Sequence, residues 1–223
     1  MRVFTFHLFG FPVRVHPMVW LLAFFVVLSS ASDGPAGLAL GFLWALVAFA
    51  SILAHELGHA VAARAFALGP VEILLQGFGG LTFYRRSGSI RQRLVITAAG
   101  PGAGLALAAL SLLPLAALFP LQPFPGAGLL RVLLVVVLRV NLFWSLFNLL
   151  PMAPLDGGML LGHLLALGGV GAQRAERVVA WVSLALAVVT AGAAILLHQW
   201  FLILVAFLVA QRNLPVLTGK QVF

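Results

Sequence analysis

Three residues within five positions, His55, Glu56 and His59 in "ILAHELGHAVAARAF", could do chemistry together. Four residues on a helix advance about 400°, which leaves the two imidazoles about 40° apart and one turn apart, so both can reach one ion. Glu56, beside the first histidine, is placed to hold a water rather than the metal. The pattern suits metal-assisted hydrolysis: two histidine ligands, a water whose pKa the metal lowers towards about 7, and a glutamate that takes the proton and later returns it to a leaving amine. Two histidines and a glutamate hydrogen-bonding across helices are the structural alternative. Cysteine is absent, so thiolate sites and disulfides are excluded and any metal must use nitrogen and oxygen ligands.

A zinc ion would need a third protein ligand, and Asp156 in "NLLPMAPLDGG" is the best candidate. Pro151 and Pro154 before it and Gly157 and Gly158 after it interrupt the helix, so the carboxylate can swing inward. Asn148, at the start of the same stretch, has two readings. It can be ordinary glue between helices, or it can donate to a substrate carbonyl as charge develops there.

The elements that must position these groups are apolar. Of 223 residues, 63% are hydrophobic and 8% charged, with a mean hydropathy of +1.14. Segments long enough to cross a bilayer, roughly 17 to 25 residues each, recur along the chain. The expected fold is an all-α polytopic membrane protein, one membrane-embedded domain over 1–223 with six transmembrane helices. The spans fall at about 17–31, 37–68, 94–119, 129–150, 174–194 and 198–212. Residues 1–16 and the glycine-rich stretch after span two read as a small interfacial or reentrant β element.

The net charge of +8 comes from thirteen Lys and Arg scattered between apolar runs. The positive-inside rule accounts for them, and nucleic acid is not expected as a partner. With the N-terminus cytoplasmic, Arg2, Arg14, Arg64, Arg85, Arg86, Arg91, Arg93, Arg174, Arg177, Arg212 and Lys220 lie inside. Only Arg131 lies outside, and Arg139 falls within span four. Both ends are therefore expected in the cytoplasm. Counting back from Arg64 puts His55 roughly 13 Å below the cytoplasmic surface. The end of span four, before Asp156, lies on that same side.

With both motifs in hand, the chain resembles the site-2 protease family of intramembrane zinc metalloproteases. "HELGH" matches the family's HExxH, "NLLPMAPLDGG" its second signature, and "FGFPVRVHP" the leader of bacterial members related to the sporulation-factor protease. "FGGLTF", Phe78 to Phe83, resembles the edge of the membrane-reentrant loop to which substrate adds as a strand. The resemblance implies that His55, His59 and Asp156 bind Zn2+ and that Glu56 activates water. It implies too that Asn148, Pro151 and Pro154 shape the substrate side, with Gly79 and Gly80 on the substrate strand.

One departure is Gly104 in "AGPGAG", where many members carry asparagine, so a polar contact is expected to be missing. Neither a PDZ nor a CBS domain is expected. The implied function is a multi-pass inner-membrane endopeptidase cutting transmembrane or membrane-associated proteins within the lipid bilayer near its cytoplasmic face, in regulated intramembrane proteolysis. The rival is a membrane transporter or metal carrier using the same groups, which would tolerate Glu56→Gln.

Overall fold

The structure, a computed structural model, describes residues 3–77, 79–118, 127–198 and 200–218. Arg2, Phe78, Lys220 and most of the loop between the third and fourth spans lie outside the described residues. The chain is mostly helical with one four-stranded sheet. Contacts divide it into two compact units, one of residues 1–88 and 99–145, the other of 89–98 and 146–223.

The first unit opens with the expected hairpin, β1 (Phe4–Leu8) and β2 (Phe11–Val15). Phe9 and Gly10 at positive φ (51° and 81°) make its two-residue turn, the geometry that matches the twist of paired strands. A second hairpin, β3 (Val71–Gln76) with β4 (Gly79–Tyr84), follows the long helix. Parallel pairing of β2 with β3, Val13 opposite Ile73 and Val15 opposite Leu75, joins both hairpins in the order β1-β2-β3-β4. The join is driven from one face. Phe11, Val13, Val15, Ile73 and Leu75 alternate inward at 3% exposure or less, as period-two strands require when one face is buried.

Helix α1 (Val19–Ser29) packs on α2 (Gly34–Ala65), which carries "HELGH" in its last third. Next come α3 (Ile90–Leu118), with Pro101 and Pro114 inside it, and α4 (Ala127–Asn148). In the second unit, α5 (Asp156–Leu167) packs on α6 (Ala172–Leu196) and α6 on α7 (Trp200–Leu217), and Met152, Ala187, Ala206 and Val209 form a buried cluster between the last two helices and the turn before α5. Among the described residues four helices are long and apolar enough to cross a membrane: Gly34–Ala65, Ile90–Ala117, Gly128–Asn148 and Ala172–Leu196. The segments read as spans one and six are shorter apolar helices, Val19–Ser29 and Leu202–Leu217.

Candidate metal centre

His55, Glu56 and His59 sit on α2 at 4%, 5% and 8% exposure, so the three groups are withdrawn from solvent together. The Nε2 atoms of His55 and His59 lie 3.2 Å apart, with the rings nearly perpendicular at 80°. Two nitrogens bound at about 2.0–2.1 Å to one tetrahedral ion would stand about 3.3 Å apart. The pair is thus already at the spacing a shared ion imposes.

Room for His59 comes from α3. A Cβ on Gly100 would collide with the His59 imidazole, and a Cβ on Gly58 would strike the Ala99 carbonyl and the Ala103 side chain. Small residues on both helices allow this backbone approach, as they do at helix crossings in membranes. One turn before His55, Ser51 accepts a hydrogen bond from Asn141 Nδ2 of α4 at 2.9 Å, and the same amide donates to the Val137 carbonyl.

Glu56 meets the sheet rather than another helix. The Thr82 hydroxyl on β4 donates to Glu56 Oε2 at 2.7 Å and lies 3.1 Å from the Glu56 carbonyl oxygen. Gly80, two residues earlier on β4, leaves the space that the Glu56 carboxyl fills. Gly79 is partly buried, and among the described residues a Cβ there would touch only Trp144, at 3.9 Å.

The aspartate motif is built within the second unit. Asp156 is the first residue of α5 and 5% exposed, and a carboxylate in the first turn is favoured by the helix dipole. Gly157 and Gly158 lie so close to the backbone of 149–153 that a Cβ on either would overlap it, so the "DGG" of the sequence is a packing requirement as well as a helix break. Both backbone groups of Ala153 are clamped. Its N–H donates to Ser183 Oγ of α6 at 2.8 Å, and its carbonyl accepts from Asn213 Nδ2 of α7 at 2.8 Å. Asn148 ends α4 half-buried, whereas Pro151 and Pro154 are exposed on the connecting turn.

His55 and His59 in the first unit and Asp156 in the second are each buried. Two imidazole nitrogens and a carboxylate oxygen are a donor set that zinc accepts, with a fourth position left for water.

Sequence reasoning missed Thr82, Gly100, Ser51 and Asn141. Ser51, His55 and His59 recur every four residues on α2, a stripe that could have been read. Beside Gly104, Ser145 of α4, fully buried, places its Oγ in the space a side chain at 104 would occupy, and that Oγ has no hydrogen-bond partner among the described residues.

No protein-family model matches the chain. It is 37% identical over 163 residues, 69% of its length, to sll0528 of Synechocystis, a protein provisionally named a zinc metalloprotease, and covers 41% of that relative. Over 199 residues, 79% of the chain, it is 35% identical to Rip3 of Mycobacterium tuberculosis, again provisionally named a zinc metalloprotease, and covers 49% of it. The chain thus spans half or less of the length of these curated relatives. Its fold is that of a solved site-2 protease from Methanocaldococcus jannaschii, with a TM-score of 0.68 and 23% identity, covering 100% of this chain and 97% of that one.

Proposed function

The chain belongs to the site-2 protease family of membrane zinc metalloproteases, and from that premise we propose that it is an intramembrane zinc endopeptidase acting on transmembrane or membrane-associated proteins. The observation that carries the proposal is the buried pair of His55 and His59, their Nε2 atoms 3.2 Å apart at the spacing of two ligands on one ion, with Glu56 next to the first. In this reading 1–223 is a single membrane-embedded domain with six spans in the inner membrane and both termini cytoplasmic. Cleavage takes place near the cytoplasmic face as a step of regulated intramembrane proteolysis.

His55, His59 and Asp156 would hold the zinc, which when bound would polarise a substrate carbonyl and acidify water. Glu56 takes the proton as the water oxygen adds to the scissile carbon. It then delivers that proton to the amide nitrogen as the C–N bond breaks. A helical peptide bond has its carbonyl engaged in the helix, so the substrate must first unwind. The extended segment adds to β4 beside Gly79 and Gly80. Asn148 donates to the carbonyl oxygen as negative charge grows on it, and Pro151 and Pro154 shape the turn that flanks the substrate.

The test is cleavage, in detergent, of a single-span reporter whose helix carries an Asn-Pro pair near its cytoplasmic end, with zinc quantified in every sample. Glu56→Gln is expected to retain zinc and lose cleavage by at least about 100-fold, the scale of removing a general base. Equal cleavage by both proteins would remove Glu56 as the base, and bound zinc without cleavage by either would favour a metal carrier.

A further inference from the structure

We propose that Thr82 is a positioning residue for Glu56, so that the strand offered to substrate also sets the group that moves the proton. The proposal rests on the protease reading and deepens it. Strand β4 alternates: Gly80, Thr82 and Tyr84 are partly buried, while Leu81 and Phe83 are exposed. Gly80 and Thr82 therefore share the face that meets Glu56. Thr82 supplies a donor, its hydroxyl 2.7 Å from Oε2. Gly80 supplies a gap, since a Cβ there would stand 2.7 Å from Glu56 Cδ and 2.8 Å from Oε1. One strand thus fixes the carboxyl from two positions.

Oε2 is the carboxyl oxygen that Thr82 engages. A glutamate side chain swings freely about its Cβ and Cγ bonds, and a general base must hold its place to within about 0.5 Å. The Thr82 hydroxyl restricts that swing from a strand already held in register, with Thr82 opposite Ile73. In the described sheet β4 is one of the two edge strands, so an edge available for strand addition belongs to the same strand that holds the base. Docking at that edge and alignment of Glu56 therefore involve one strand.

Four proteins test this with the single-span reporter: wild type, Thr82→Val, Thr82→Ser and Glu56→Gln. Thr82→Val keeps the shape and strand preference of threonine and removes the donor. Its kcat is expected to fall about 10- to 100-fold, the scale of an ångström of misplacement, with KM and zinc content unchanged. Thr82→Ser, which keeps the hydroxyl, is expected to restore most of that loss. Thr82→Ala gives the same reading should the valine variant fail to accumulate.

An independent readout is the infrared carboxylate band in protein labelled with carbon-13 glutamate, where only Glu56, Glu72 and Glu176 contribute. The band missing from Glu56→Gln is expected to move in Thr82→Val and to stay in Thr82→Ser. Wild-type kcat in Thr82→Val, an unmoved band, or equal damage in the serine variant would overturn the assignment. Inactive Glu56→Gln beside fully active Thr82→Val removes this proposal alone, whereas fully active Glu56→Gln removes the role of Glu56 beneath it, and no cleavage by zinc-loaded wild type removes the protease reading.

Discussion

Gly100→Ala isolates the contact on which the His59 side of the centre depends. An alanine Cβ at this position would stand 2.8 Å from His59 Cδ2, and closer still to Cε1 and Nε2. Carbon atoms in contact prefer about 3.5 Å, so the ring must retreat by about 0.7 Å or more. Zinc–nitrogen bonds tolerate deviations of about 0.2 Å. The displacement therefore exceeds what ligation allows, and zinc affinity is expected to fall by at least about 100-fold, or about 2.7 kcal/mol.

Backbone propensity acts in the opposite direction. Alanine is better than glycine inside a helix by about 1 kcal/mol, so the variant is not expected to unfold for want of helix stability. Gly102→Ala is the matched control, two residues along α3 with nothing within 4 Å of its added Cβ. The assay is competition for zinc against a chromophoric chelator in detergent, run on wild type and both variants. Zinc affinity in Gly100→Ala within threefold of wild type would refute the claim that Gly100 fixes the His59 ring.

Two further outcomes follow from the same packing. Gly80→Ala is expected to abolish cleavage by about 100-fold while leaving zinc bound, because the added Cβ meets the mobile end of Glu56, which can swing aside without disturbing the histidines; joint loss of zinc and cleavage would contradict this separation. Ser183→Ala leaves the Ala153 N–H without its acceptor and is expected to cost about 1–3 kcal/mol, seen as a lower unfolding midpoint in detergent. An unchanged midpoint would mean that the clamp on the aspartate turn is not supported from α6.

The histidine–glutamate motif, the membrane class and the broken helix at "PLDGG" were legible because each is local. Spacing along one helix fixes which side chains share a face, hydropathy over about 20 residues marks an element long enough for a bilayer, and proline with glycine ends a helix wherever it stands. The long helix expected at 37–68 is observed at Gly34–Ala65, and the fifth span, expected at 174–194, at Ala172–Leu196. Both were readable from hydropathy alone. The count of six is not decided by length, since α1 has 11 residues and α7 18. Such lengths need neighbours, not composition, to decide their place.

What the sequence by itself determined is the chemistry on offer: two imidazoles and a carboxylate at helical spacing, in a chain without thiols and with little but apolar surface around them. Tertiary structure alone decided how that chemistry is held. Parallel pairing of β2 with β3 joins two hairpins that a long helix separates, and this carries Thr82 onto Glu56. Gly100 receives the His59 ring, and Ser145 fills the space beside Gly104. Each of these depends on register and on the distance between backbones, quantities set by the burial of whole faces against one another, which no residue's type or spacing records.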